Sequence, residues 1–269
     1  MSQSVDLCYL YDGTYDGLLT CVFESYRRRE LPAAILPEDA PRPLCMTRLV
    51  PTDPLLAARV TKGLSEKVGA RAEATVRFAF LTILPDKEMR ILAYIRKAMK
   101  TGPRIQRMIA DETVYPLYRA VSHMREEAHL FTGFLRFSEA DGILYAVIDP
   151  KNQILPLIAD HFADRFPRET FLIYDETHGE AMLCRNGEYS LISGESFAPP
   201  PPDRAEREAR ALWTRFFETL SIAERKNPLC QRTHLPLRYR TYMTEFLTQE
   251  KSPLSAEPSL PPLSPSGPV

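Results

Sequence analysis

From His129 to Asp149 the chain reads HLFTGFLRFSEADGILYAVID, and the spacing of its apolar residues decides the fold class. Upstream of this stretch apolar residues recur at helical intervals. Here an alternation of period two takes over, as in a half-buried strand. SEADG, between the β-rich runs HLFTGFLRF and GILYAVID, is a hairpin signal. Helical segments followed by paired strands predict an α+β fold: a small, mostly antiparallel sheet packed with several helices, plus a C-terminal helical segment.

Working downstream, NQILPLIADHFADRF (152–166) predicts a helix with Pro156 in its first turn. TFLIYDE, GEAMLCRNG and EYSLIS predict three short strands, the last two joined by Asn186-Gly187. APPPPD (198–203) is an extended polyproline linker. Asp203 and Glu206 then cap a helix whose stripe of Ala209, Leu212, Phe216 and Leu220 calls for docking on the main body. The expected organisation is a main α+β domain over 1–197, the linker over 198–203, a docked helical segment over 204–250 and a disordered Pro/Ser-rich tail over 251–269.

Upstream, VDLCYLYDG predicts a buried strand closed by Gly13. TYDGLLTCVFESYRRR predicts a helix capped by Thr14. A strand–Gly–helix opening suits phosphate, but Gly13 and Gly17 do not form G-x-G-x-x-G. Residues 30–54, broken by prolines, read as a loop. Residues 55–110 read as helical. Between Met89 and Ala110 stand six cations and no acid. Arg90, Lys97 and Arg104 share a helical face there until Gly102-Pro103 interrupts it.

The formal charge of −1, from 34 basic and 35 acidic side chains, means that phosphate affinity must come from local clusters. Five cysteines without a C-x-x-C spacing predict reduced, mostly buried thiols and a cytoplasmic protein, and exclude an iron–sulfur site carried by this chain alone. Neither a signal peptide nor a run long enough to span a membrane is evident, and the five histidines form no metal motif.

Three groups of residues are candidates for chemistry. Arg136, on an apolar predicted strand with His129, needs an anionic partner. A phosphate would serve, as would a carboxylate such as Glu126, Glu127 or Asp149. His161 and Arg165 lie four apart on one helix, either as a general base with a phosphate clamp or as part of a solvated face. Arg225 to Thr244 carries Arg225, Lys226, Arg232, Arg238 and Arg240 without an acid, interleaved with Asn227, Gln231, His234, Tyr239 and Tyr242. Cations alternating with aromatic rings suit phosphate contacts and stacking on an unpaired base.

Three separated stretches, YDGTYDGLLTCVFESYRRRE, EAHLFTGFLRFSEADGILYAVIDPKNQILPLIADHFADRF with FLIYDE, and ERKNPLCQRTHLPLRYRTYMTEF, resemble a bacterial family of DNA-metabolism and DNA-repair proteins. Members are typically encoded beside a radical-SAM protein, and some are fused to a uracil-DNA-glycosylase-like domain. The resemblance covers nearly all of residues 7–247. The family's pattern of E-x-H, a small residue and F-x-R-F falls on Glu127, His129, Gly133, Phe134, Arg136 and Phe137, with Leu130 where a basic residue is common. Its later pattern falls on Arg225, Asn227, Pro228, Gln231, Arg232, His234 and Pro236. The resemblance implies a DNA-binding protein that works with a radical-SAM partner, the iron–sulfur cluster and SAM residing in that partner. The alternatives are a nucleic-acid-processing enzyme using His234, His161 or His129, and a purely protein-facing subunit of the partner.

Overall fold

The computed structural model of the chain describes residues 7–41, 44–193, 197–220 and 227–247. The architecture is α+β, with two sheets: three parallel strands in the order β2-β1-β3, and five strands in the order β4-β5-β6-β7-β8. Contacts group the chain into two compact units, one of residues 1–130 with 150–158 and the other of residues 131–149 with 159–269.

The first unit is built on β1 (Leu7–Tyr11), flanked by β2 (Ala34–Pro37) and β3 (Met46–Leu49). As the central strand of a parallel sheet, β1 is nearly continuously apolar and buried, with Tyr9 and Tyr11 fully enclosed. The phenol hydroxyls of these two tyrosines donate to Glu30 (2.9 Å) and Glu88 (3.1 Å). Helix α1 (Tyr15–Arg27) follows, capped by the Thr14 hydroxyl, which accepts from Gly17 N at 3.0 Å. Next come α2 (Pro54–Lys67), α3 (Ala70–Phe80) and α4 (Lys87–Thr101), and then α5 (Tyr115–Phe134). Their inward stripes, among them Leu64, Val76, Ile91, Ile95, Leu117 and Val121, close one core over the sheet.

Two expectations are corrected in this unit. Residues 30–54 are not all loop, since they contain β2 and β3. Both are four-residue edge strands between prolines, too short for a periodic signal, and most of β3 is exposed. Nor are all the cysteines reduced. Parallel pairing of β1 with β3 sets Cys8 opposite Thr47, which brings Cys45 alongside, and Cys8 and Cys45 form a disulfide.

The largest correction falls on the opening stretch. His129 to Phe134 is helical and belongs to α5. Leu117, Val121, Met124, Ala128 and Phe131 are all buried, a stripe at helical spacing that runs through the supposed strand. This long helix overrides the β-favouring aromatic residues that suggested alternation.

In the second unit, β4 (Ser138–Ala140) and β5 (Ile143–Ile148) form a hairpin that turns through Asp141 and Gly142, both at positive φ; its first strand comes from the residues expected to be the turn, not from 129–137. Helix α6 (Leu155–Arg165) links β5 to its parallel neighbour β6 (Thr170–Asp175), and β7 (Glu180–Arg185) and β8 (Glu188–Ser193) complete the sheet in antiparallel order. The β7–β8 turn is Asn186-Gly187, also at positive φ. Phe137 meets Phe162, Phe166 and Phe171 edge-on at 5.2–5.7 Å and anchors this unit's apolar cluster. Helix α7 (Arg204–Leu220) reaches β4 through Glu206, which accepts from Glu139 N, and Arg210, which donates to the Ser138 hydroxyl. Residues 251–269 lie outside the described residues.

Candidate nucleic-acid interface

The basic segment of the second unit folds into α8 (Pro228–His234), a 3-10 turn over Leu237–Arg240, and α9 (Thr244–Leu247). Proline at the first position and the Asn227 carboxamide, accepting from Cys230 N at 3.0 Å, open α8. Gln231 and His234 belong to this helix. Arg225 and Lys226 lie outside the described residues. Arg232 is exposed on α8.

Several of the segment's other side chains have protein partners. Tyr239 is buried, its ring 5.1 Å from Phe131 and 5.5 Å from Phe134. At 7% exposure the ring is not open to stack on a base, which corrects the expectation from the sequence. The Arg238 guanidinium lies 4.3 Å from the centroid of Tyr239 and donates to its phenol oxygen. The Tyr242 hydroxyl donates to Glu176. Arg240 donates to Leu235 O and rests 4.6 Å from the Phe246 ring centroid. Asp149 directly follows β5. Burial pushes its carboxyl above the ordinary range, against the pull of Arg238.

Arg136 follows α5 and donates to Gly133 O and Leu135 O, satisfying carbonyls at the helix end. Its anionic partner is Glu245, at 2.8 Å and 1% side-chain exposure. The sequence alone pointed to nearer carboxylates. Trp213 Nε1 donates to the second oxygen of Glu245. Burial would raise the Glu245 carboxyl, but the hydrogen bonds from Arg136 and Trp213 outweigh it and hold it below the usual range. The adjoining groove of about 460 Å³, lined by Arg136, Phe137, Arg210 and Trp213, therefore presents cations that are already neutralised, because Arg210 is paired with Glu206 at 2.6 Å. His161 and Arg165 are exposed on α6, with Arg165 beside the Phe166 ring; His129 is exposed on α5. His178, which sequence reasoning passed over, is held by Asp175 at 2.7 Å in the β6–β7 turn.

In the first unit, the strand–Gly–helix opening is occupied by the protein's own carboxylate. Asp12 accepts from Thr14 N (3.0 Å), the Thr14 hydroxyl (2.7 Å) and the Thr52 hydroxyl (2.7 Å). Burial opposes its charge, and these hydrogen bonds outweigh burial, so the carboxyl stays below its ordinary value. A Cβ on Gly17 would stand 2.2 Å from Asp12 Oδ1, so glycine is what lets Asp12 sit there. A phosphate would have to displace this carboxylate. In the basic run from Met89 to Ala110, Arg90 donates to Pro85 O and Lys97 pairs with Asp111, while Lys100, Arg104 and Arg107 are exposed.

A cleft of about 590 Å³ between α3 and α5 differs from all of these. Arg71 comes from α3; Tyr115, Tyr118, Arg119, Ser122 and Arg125 come from α5. Tyr115, Tyr118, Arg119 and Ser122 stand at i, i+3, i+4 and i+7, one face of the helix, away from the buried Leu117, Val121 and Met124. Arg71 lies 5.9 Å from the Tyr118 ring centroid and Arg125 lies 5.0 Å from that of Phe78. Arg71, Arg119 and Arg125 are exposed, and none forms an ion pair with a carboxylate among the described residues. Sequence reasoning missed them because it searched for acid-free runs. The signal was a polar face carrying two tyrosines and an arginine opposite an apolar stripe.

A family model described as a domain of unknown function, DUF4130, matches residues 85–245, well over half of the chain. It includes α5 with Arg119 and Arg125, and the basic segment, but not Arg71. No curated protein matches the chain.

Proposed function

The chain belongs to the DUF4130 family, and we propose that it is a nucleic-acid-binding protein whose phosphate contacts centre on the cleft between α3 and α5. The observation that carries this reading is the set of three guanidinium groups around one tyrosine-lined cleft, none neutralised by a described carboxylate. With a net charge of −1, a local cluster of this kind is the feature that attracts a polyanion. Exposed Arg232 and Arg165 offer further phosphate contacts in the second unit.

The finer part of the proposal comes from the resemblance of the three motifs. The polymer is DNA, the setting is repair or related metabolism, and the partner is a radical-SAM protein that supplies the iron–sulfur cluster and SAM. The test is fluorescence anisotropy with single- and double-stranded oligonucleotides. Binding at about 50 mM salt should weaken steeply toward 200 mM, and Arg119→Ala with Arg125→Ala should weaken it further. Absence of binding at about 50 mM salt overturns the reading.

One observation favours a protein-facing subunit as the second reading. Leu212, Phe216 and Leu220 repeat every four residues along α7 and are 66%, 53% and 64% exposed. Co-purification with the radical-SAM protein that survives nuclease treatment and is lost in Phe216→Asp, with no DNA affinity, would select it.

A further inference from the structure

The basic run of α4 does not stop where the helix does. A 3-10 turn over Gly102–Arg107 continues it, and the chain then passes directly into the wall of the cleft between α3 and α5. Ile109, two residues beyond Arg107, lines that cleft. From the other side, Gln106 Nε2 donates to Val68 O at 2.9 Å, which ties the turn to the residues just before α3 and its Arg71. Side chains three apart in a 3-10 turn eclipse one another. Ile105 is fully buried, whereas Arg104 and Arg107 share an outer face and are both exposed.

Five exposed cations surround this turn: Lys67 at the end of α2, Arg71 on α3, Lys100 in the last turn of α4, and Arg104 and Arg107. A Cβ on Gly102 would stand 3.9 Å from Lys67 O, so the end of α2 abuts the same place. None of the five forms an ion pair among the described residues. The carboxylates nearest to them along the chain are Glu66, Glu73, Asp111 and Glu112. Lys62, Arg77 and Lys97 take the first three, which leaves Glu112 against five positive charges. A merely solvated face interleaves both signs. Here a chain of net charge −1 concentrates one sign beside a cationic cleft, and Arg71 belongs to both surfaces.

Resting on the nucleic-acid reading above, we propose that a strand bound in the cleft leaves it past Ile109 and continues over the 3-10 turn, where Lys100, Arg104 and Arg107 hold its backbone phosphates. The ligand is then a polymer of several nucleotides, because a mononucleotide or a lone phosphate cannot occupy the cleft and the turn together. Each further phosphate held releases further counterions, so affinity and salt dependence grow with strand length until the turn is covered.

The experiment measures the affinity of the full chain for single-stranded DNA of about 4 and about 16 nucleotides, the span of known single-strand site sizes, over a series of salt concentrations. The parent should bind the longer strand more tightly and with the steeper slope of log Kobs against log salt. In the Lys100→Ala, Arg104→Ala, Arg107→Ala variant the slope for the longer strand should fall by about 2, at about 0.7 per phosphate contact. The short strand, held by the cleft, should bind this variant as it binds the parent. All three side chains are exposed, so the melting temperature should not change. If the triple variant melts early, Arg104→Gln with Arg107→Gln gives the same test, with a fall of about 1.4.

A longer-strand slope and affinity equal to the parent's overturn the inference and leave the nucleic-acid reading standing. Equal loss for both strand lengths overturns it as well, because the turn would then be a site in its own right and not a continuation of the cleft. Failure of the parent to bind either strand at about 50 mM salt overturns the nucleic-acid reading itself, and the inference with it.

Discussion

Arg136 and Glu245 stand 109 residues apart in the chain yet meet at 2.8 Å, with Glu245 almost wholly buried. Removing one member of such a pair strands the other, so Glu245→Ala should destabilise the fold by roughly 3 kcal/mol, read from urea denaturation. The pair also predicts a pH dependence. Glu245 titrates below its ordinary 4.5 when folded. Its contribution is therefore present above 4.5 and lost as pH falls through the lower folded value. Glu245→Gln should flatten that acid limb, and an unchanged limb would contradict the assignment. Gly17 offers a second test. Its Cβ would collide with Asp12 and Thr52, so Gly17→Ala should cost about 1–3 kcal/mol, whereas a helical glycine free of such neighbours would gain from alanine. Neither role was readable locally: the Glu245 partnership depends on how the second unit closes, and Gly17, which completes no G-x-G-x-x-G, gave no sign that its missing Cβ makes room for Asp12.

Helix α5 shows where sequence patterning succeeds and where it fails. Its amphipathic character from Tyr115 to Ala128 was legible, because Leu117, Val121, Met124 and Ala128 repeat at helical spacing. Its last turn was not, because HLFTGF also fits a strand and only continuation of the buried stripe to Phe131 decides between them. The short edge strands β2 and β3 were illegible for a different reason: four residues between prolines carry no usable period. The β7–β8 turn and the second strand of the β4–β5 hairpin were legible, with Asn-Gly and Asp-Gly supplying the positive φ values such turns need, but β4 itself fell within the residues read as turn. The Glu127 of the E-x-H pattern proves to be an anchor of α5. It accepts from Lys151 N, Asn152 N and Asn152 Nδ2, while Asn152 Oδ1 takes Ile83 N. Leaving those buried donors unmet in Glu127→Ala should cost roughly 3 kcal/mol in thermal or chemical unfolding, before any effect on nucleic-acid binding is considered.

For the molecule as a whole, charge is the deciding quantity. A chain with 34 basic and 35 acidic side chains has no general attraction for a polyanion, so function turns on which cations remain available. Counting cations along the sequence pointed to residues 225–244, but among the described side chains there Arg238 and Arg240 rest on aromatic rings and Tyr239 is enclosed. Between α3 and α5 three exposed guanidinium groups, from residues 71, 119 and 125, converge on one cleft, a grouping that only the tertiary fold assembles. The most direct test is the slope of log Kobs for single-stranded DNA against log salt, for the full chain and for the Arg71→Ala, Arg119→Ala, Arg125→Ala triple variant. Each lost phosphate contact should reduce the slope by about 0.7. The triple variant should be about 2 shallower in slope and weaker in binding, with an unchanged melting temperature. A variant that melts like the parent and keeps the parent's affinity and slope would contradict it.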